Sequence, residues 1–278
     1  MLGLIDLITA ALPLLYGLAA VNYTVFFLRN DPFAERTCTP FLAGAVAVHI
    51  IFVILLSTYY SRAPVATLPE ALNLIALSVS ITYLYVERID QHRSTGAFIL
   101  PLVVMLQLAA SALLPHSNPE VAPQSHLFES SLFGLHAITA ILGYTAFMVG
   151  AVYGLMYLLL YRSLKVKNFG IIFERLPSLD VLSKMVFGAS FLGWIFLTVT
   201  IVLGVGMSMA HLPQFYLDPK FLSTLAVWTV YGLAVVTWFT LNWRGARAVY
   251  FSLAGFVFAL VAMMGSAFFW SSFHAFLT

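Results

Sequence analysis

The sequence predicts an all-α fold: a polytopic membrane bundle of eight transmembrane helices, with both termini on the outer side. Three observations carry this. Of the 278 residues, 62% are hydrophobic and only 9% charged, and the mean hydropathy is +0.97; a soluble domain carries about 25% charged residues, so this composition cannot build a water-facing surface. The apolar residues gather into eight stretches near the length of about 20 residues that a spanning helix needs. Eleven of the thirteen Lys and Arg residues fall in alternate gaps between those stretches. Inside a bilayer the backbone has no water to bond, so self-satisfied helices are expected. A closed barrel would need alternating segments of roughly ten residues, and the sequence shows none.

The expected spans are 4–28, 40–60, 68–87, 96–114, 130–161, 183–210, 221–241 and 248–273. The first follows an N-terminus, Met1-Leu-Gly-Leu-Ile-Asp, that lacks the basic region of a cleavable signal peptide. Turn or charge chemistry marks the breaks: Arg29-Asn-Asp-Pro32, Ser61-Arg-Ala-Pro64, Glu87-Arg-Ile-Asp90, then 115–129, 162–182, 211–220 and 242–247. The fifth and sixth spans exceed what a bilayer requires and are expected to tilt or project. No internal repeat and no matched pair of interrupted helices of the transporter kind is present. The chain reads as one transmembrane domain over 1–278.

Orientation follows from charge. Arg29 and Arg36 occupy the first loop, Arg88 and Arg93 the third, Arg162, Lys165, Lys167 and Arg175 the fifth, with Lys184 at its edge, and Arg244 and Arg247 the seventh. The second and sixth loops hold Arg62 and Lys220 alone. Positive charge stays cytoplasmic, so the odd loops face the cytoplasm. The net charge of +2 gives no reason to expect a nucleic-acid partner.

On this map His116, His126, His136, His211 and His274 fall on the outer side, His49 near the middle of the second span, and only His92 on the cytoplasmic side. Imidazole suits iron, copper and zinc, and two from different helices can clamp a haem iron. An ionisable residue within a span is by default a functional candidate; the plainer reading of His49 is a neutral imidazole bonded to a neighbouring helix. His136 and His274 read either as ligands or as solvated interfacial residues, and His116 and His126 as loop residues. No HExxH or paired Cys/His spacing supports zinc. Cys38, the single cysteine, excludes an internal disulfide and reads as an ordinary thiol in a short loop. Glu70 opens the third span, where an acid suits the helix dipole. Asp218 before Pro219 reads as a cap of the seventh span. Ser271, Ser272 and His274 stand too close in sequence to form a hydrolase triad. Phe215, Tyr216, Trp228, Tyr231, Phe268, Phe269 and Trp270 cluster toward the outer half, where they either pack and anchor or line a flat apolar ligand.

Several of these segments resemble one family. Ser61-Arg-Ala-Pro64, Glu70-Ala-Leu and Ile81-Thr-Tyr-Leu-Tyr-Val-Glu87 are similar to a stretch of the cytochrome c assembly family, the CcsA, ResC, CcmC and HemX-like haem-handling membrane proteins. His136-Ala-Ile-Thr-Ala-Ile-Leu-Gly-Tyr144 resembles its external-histidine helix, and Leu176-Pro-Ser-Leu-Asp180 a cytoplasmic segment. Asp218-Pro-Lys220 with Trp228 and Tyr231 is similar to the tail of its tryptophan-rich haem motif, and Ser272-Phe-His274 to its second external histidine. The resemblance runs from about residue 40 to the C-terminus.

It implies haem, as haem b, bound between His136 and His274 beside Asp218 and Trp228, with His49 as an intramembrane site. It implies a multi-pass protein of a bacterial-type inner (plasma) membrane that handles haem in cytochrome c maturation. Its partners would be other cytochrome c assembly proteins or an apocytochrome. Any enzymatic role would be in covalent haem attachment, as a non-catalytic subunit. Two departures stand out: Gly206-Met-Ser-Met-Ala-His-Leu-Pro-Gln-Phe-Tyr-Leu-Asp-Pro-Lys220 lacks the repeated tryptophans, and the second intramembrane histidine is replaced at about Val236. Both point to the HemX-like branch. The second expectation is a scaffold or regulator without haem, acting on cytochrome assembly or tetrapyrrole synthesis through partner proteins, with 162–182 as its cytoplasmic contact.

The charge map makes a direct prediction. In a Cys38→Ser background, an impermeant maleimide added to intact cells labels Ser125→Cys and leaves Lys167→Cys unlabelled until the membrane is opened. The reverse pattern would overturn the orientation.

Overall fold

The structure is a computed structural model and describes residues 2–65, 67–90, 92–114, 131–211 and 215–268. Nine α-helices are described: α1 (Leu2–Arg29), α2 (Pro32–Tyr60), α3 (Leu68–Asp90), α4 (Gly96–Leu113), α5 (Ser131–Lys165), α6 (Ile171–Arg175), α7 (Leu179–His211), α8 (Pro219–Thr240) and α9 (Ala246–Phe268). Seven, α1 to α5, α7 and α8, are long and apolar enough to cross a bilayer. The 23 residues of α9 take the place of the eighth expected span. The multi-pass, all-α expectation therefore holds.

The helices divide into two compact units, one holding α1 to α4 with the short α6, the other α5 and α7 to α9. In the first, α1 packs on α2 and α4, and α3 on α2 and α4. Consecutive helices thus close a four-membered ring. In the second, α7 packs on α5 and α8, and α9 on α5 and α8, with a further α7–α9 contact. Short connections between consecutive spans favour this antiparallel packing of neighbours.

The first loop differs from expectation. The turn between α1 and α2 consumes two residues: Asn30 takes a left-handed conformation, φ 53°, and Asp31 accepts a hydrogen bond from the Ala34 N–H at 2.8 Å. Pro32 then stands in the first turn, where its missing N–H costs nothing. The second span therefore begins eight residues before the expected position 40. Cys38 lies inside α2, fully buried, rather than in a loop; Pro40 within α2 is what disguised the helix. Likewise α3 runs to Asp90 and α7 starts at Leu179, while α6 was not expected at all.

Glu87, assigned from sequence to a break, is buried near the end of α3. Its carboxylate accepts hydrogen bonds from the Tyr23 hydroxyl of α1 and the Thr39 hydroxyl of α2, and Arg93 Nε stands 3.8 Å from it. Arg93 also donates to the Glu35 carbonyl at 2.6 Å. This charged end of the first unit is possible because each acceptor has a donor, as burial demands.

In the second unit glycines set the helix spacing. A Cβ at Gly193 of α7 would lie 2.5 Å from Phe147 Cε1 and 2.9 Å from the Gly143 carbonyl of α5. Small residues of this kind let membrane helices approach closely where no hydrophobic force separates helix from lipid. Phe147 in turn stacks on Tyr231 of α8, ring centroids 3.6 Å apart and planes 9° from parallel. With Leu197, Val227 and Ala259 these form the buried core of the unit.

Gly193→Ala is therefore expected to destabilise the protein by about 1–3 kcal/mol, the usual cost of overpacking, and to lower the midpoint of thermal unfolding in detergent. Gly188→Ala, where an added Cβ meets nothing within 4 Å, serves as the control and should leave the midpoint in place.

Candidate functional site

His136 enters on the second turn of α5 and is half-buried. Its Nδ1–H donates to the Thr200 carbonyl of α7 at 3.0 Å. That bond fixes the tautomer and puts the ring lone pair on Nε2, the arrangement in which metal-ligating histidines are usually held. Room for the ring comes from Gly204 of α7: a Cβ there would stand 2.9 Å from His136 Cε1 and 3.2 Å from Nδ1. The Thr200 hydroxyl adds a bond to Thr139 Oγ1 at 3.0 Å, one turn along α5 from His136. The ring's tautomer and the space beside it fit a histidine that could hold haem iron.

Trp228 of α8 donates its indole N–H to Thr198 Oγ1 of α7 at 2.7 Å and stacks on Trp194, centroids 5.6 Å apart. Trp194 and Thr198 lie four residues apart on one face of α7. Thr200 and Gly204, the contacts of His136, also lie four apart, but two residues on from Thr198, which turns them about 200° away. Trp228 and His136 therefore attach to different faces of α7, and the structure does not bring them together. Asp218 is the N-cap of α8, accepting from the Lys220 and Phe221 N–H groups at 2.8 and 3.2 Å. The capping expected from Asp218-Pro219 is present. His274, His116 and His126 lie outside the described residues.

His49 belongs to the first unit and is fully buried. Both ring nitrogens are engaged: Nε2–H donates to Asn73 Oδ1 of α3 at 3.0 Å, and Nδ1 accepts from the Tyr16 hydroxyl of α1 at 2.9 Å. Gln107 Nε2 of α4 donates to the same Asn73 oxygen at 3.1 Å and approaches Ser111 Oγ at 3.3 Å. One polar residue from each of α1 to α4 thus joins a single chain. As arranged here, His49 offers no lone pair to a metal and does not fit a haem ligand. Among the described residues no three of His, Cys, Asp and Glu gather to hold a metal ion.

Sequence reading missed Tyr16, Asn73 and Gln107. The signal was available, since an amide inside an apolar span needs a partner on another helix; which span supplies it is a three-dimensional fact. Arg62 and Glu70 were read separately and form a bidentate pair, with Nη1 to Oε2 at 2.8 Å and Nη2 to Oε1 at 2.9 Å. Thr67 and Glu70 also exchange backbone-to-side-chain bonds at 3.4 Å, a capping box for α3. So the Arg-x-Pro and Glu-Ala-Leu segments that carried the resemblance form one buried structural lock.

Residues 65–274 match the family described as Cytochrome C assembly protein. The chain belongs to the cytochrome c assembly family. It is 28% identical to Protein HemX of Brevibacillus brevis over 266 residues, 94% of either chain. It is 25% identical to Protein HemX of Bacillus subtilis over 270 residues, again 94% of each. Cytochrome c biogenesis protein CcsA of Heterosigma akashiwo is 26% identical over 252 residues, covering 78% of this chain and 77% of that one. These likenesses place the protein among multi-pass membrane proteins of cytochrome c assembly.

The side chains of Arg62 and Glu70 are 8% and 1% exposed, so losing one partner strands a buried charge. Arg62→Met is expected to cost about 3–5 kcal/mol, read as a fall in the thermal midpoint in detergent. The double variant Arg62→Met, Glu70→Met should recover most of the loss. A double variant no more stable than the single one would show that the pair is not the lock.

Proposed function

We propose that this cytochrome c assembly protein binds haem b and handles it during cytochrome c maturation, at the outer face of an inner (plasma) membrane. The observation that carries the reading is His136: a half-buried imidazole with its tautomer set by the Thr200 carbonyl and space cleared by Gly204. His274, from the family-like Ser272-Phe-His274, would be the second ligand. Haem, if bound, would supply its iron, and His136 and His274 are the residues that would hold it. His136 contributes a basic Nε2, and Thr200 holds the ring in the ligating orientation. Trp228 and Asp218 support the helices around this end, Trp228 through Thr198 and Asp218 as the cap of α8. Relatives named for cytochrome c biogenesis support the assignment to maturation. An inner membrane protein of Escherichia coli, YpjD, 26% identical over 192 residues, supports the location.

The partners under this reading are other cytochrome c assembly proteins or an apocytochrome, with any enzymatic part that of a non-catalytic subunit in haem attachment. The loop before α8 lacks the tryptophans expected of a full haem-presenting motif. That observation favours a second reading, a scaffold or regulator of cytochrome assembly or tetrapyrrole synthesis that acts through partner proteins without haem. Its contact would be the segment 162–182, where exposed Val166, Phe169 and Phe173 lie among Arg162, Lys165, Lys167 and Arg175.

Protein purified from haem-replete cells is expected to show a Soret band that His136→Ala and His274→Ala each weaken. Gly204→Val, which crowds the ring without removing it, should lower haem affinity about 10–100-fold, as loss of a ligand's supporting contacts does. No Soret band in the wild type, even after haem addition, would sink the haem reading; an unchanged band in both histidine variants would sink the choice of ligands.

A further inference from the structure

Within the first unit, α1 and α4 leave a groove between them that haem handling does not use. Its volume is about 540 Å³, and it runs along α1 from Gly17 to Arg29, with Pro101 and Val104 of α4 as the facing wall. The α1 positions 17, 21, 24 and 28 recur at intervals of four and three, so they form one straight stripe along the helix. A Cβ at Gly17 would meet nothing within 4 Å, so no neighbouring helix fills that space. On their buried side the two helices are in close contact. A Cβ at Gly96 of α4 would run into the Tyr23 ring, and Phe27 meets Phe98 edge-on with centroids 5.2 Å apart. The groove is the outer counterpart of that inner contact, and exposed Val21 and Leu28 open it to lipid.

The groove is polarised. Its lining is apolar apart from Thr24, whose hydroxyl bonds the Ala20 carbonyl at 2.7 Å, until it reaches the exposed Arg29. No acid lines it, and among the described residues no ion pair engages Arg29. Asp31, two residues on, spends its carboxylate on the Ala34 N–H. Arg29 ends α1 in a loop that the charge pattern places in the cytoplasm.

Its length is also informative. From Gly17 to Arg29 at 1.5 Å per residue is about 18 Å, close to one leaflet of a hydrocarbon core about 30 Å thick. Spread over that length, 540 Å³ leaves a cross-section of about 30 Å². That is one extended chain wide, and narrow beside a helix of about 10–12 Å diameter.

We propose that this groove binds one anionic phospholipid of the inner leaflet, its phosphate on Arg29 and one acyl chain laid along α1 as far as Gly17. A guanidinium pairs with phosphate through parallel N–H donors, and anionic lipid is concentrated in the cytoplasmic leaflet. A zwitterionic headgroup would find no carboxylate in the lining for its cationic end. A neutral ligand would leave Arg29 without an anion. The bound lipid joins α1 to α4 across their outer side and ties the stability of the first unit to the anionic content of the membrane. The proposal stands or falls independently of haem.

The test uses full-length protein stripped of lipid in detergent and titrated with palmitoyl-oleoyl phosphatidylglycerol or with phosphatidylcholine of the same chains. Native mass spectrometry counts the bound lipid, and the thermal midpoint is followed in parallel. The wild type should hold one phosphatidylglycerol about five-fold more tightly than phosphatidylcholine, the contribution of one basic residue near a membrane surface, with a raised midpoint. Arg29→Gln should bring the two lipids level. Gly17→Leu and Val21→Trp fill the groove from one open and one 60% exposed position. Each should lose the tight site and keep the lipid-free midpoint, so the test survives if one of them folds poorly. Val257→Trp on α9, equally exposed, should bind lipid as the wild type does.

Equal affinity for the two lipids in the wild type overturns the proposal, as does a tight phosphatidylglycerol that persists in both filling variants. A neutral long-chain quinone that displaces phosphatidylglycerol, and binds equally well to Arg29→Gln, assigns the groove to another ligand and overturns it too. So does a wild-type dimer that Val21→Trp dissociates, since the occupant is then a second copy of the chain.

Discussion

Hydrocarbon offers a buried donor or acceptor no water, so within these helices a polar side chain is stabilised chiefly by a partner on the protein. The rest of the structure depends on that constraint. It explains why the few polar residues of the spans are gathered rather than scattered. Glu87 draws Tyr23, Thr39 and Arg93 to one end of the first unit. Arg62 and Glu70 close a second lock beside the start of α3. Tyr16, His49, Asn73 and Gln107 make a third cluster deep within the ring of helices. Each cluster draws on more than one helix or on a helix and its flanking loop, so each fixes register that leucine and valine packing alone would leave adjustable. The apolar surface faces outward, as the exposure of Leu14 and Val21 on α1 and Val257 and Val261 on α9 illustrates.

The second unit solves the same problem with less charge. Its interior is aromatic: Phe147 on Tyr231, Trp194 on Trp228, and Phe187 on Trp238, whose other neighbour is the Arg244 guanidinium at 3.8 Å from the ring centroid. Rings bury large areas with few polar atoms to satisfy; the Trp228 N–H finds Thr198, whereas the buried Trp194 N–H has no hydrogen-bond partner. Glycines at 143 and 193 let α5 and α7 approach until backbone and ring are in contact. This matters for His136, because both of its α7 contacts, the Thr200 carbonyl and the space at Gly204, exist only if those two helices lie close.

Much of this was legible in the sequence, and the limits are physical. Span number and order follow from apolar run length, which is a local property. The start of α2 was not legible because Pro40 and the charges at Arg36 and Glu35 look like a loop. Only the Asp31 cap and the left-handed Asn30 show that the helix begins at Pro32. The two-unit division is invisible to residue patterning, since both halves are equally apolar. Of the site residues, His136 could be picked out by its context, and Asp218 by the proline after it. The pairing of Arg62 with Glu70 could not, because two residues eight apart across a loop carry no periodic signal. Trp228 was grouped with His136 by the family resemblance, yet a two-residue offset on α7 turns their contacts to different faces. Chain position locates a residue along the membrane normal far better than it locates it around a helix.

That distinction bears on how an intramembrane histidine should be read. Depth and residue type made His49 a candidate ligand, and both are unchanged by the structure. What decides its chemistry is the angular neighbourhood, which sets where the ring proton sits. An imidazole flanked by a hydroxyl and an amide oxygen is pinned as a donor toward the amide, since the hydroxyl can reverse its role and the oxygen cannot. His136 meets a fixed acceptor as well, the Thr200 carbonyl, but through the opposite nitrogen. Two histidines of the same chain, each bonded to one irreversible acceptor, thereby carry their ring protons on opposite nitrogens, His136 on Nδ1 and His49 on Nε2. Ligand competence is in this sense a property of the acceptor each ring meets, and Asn73 and Thr200 set it as much as the histidines do.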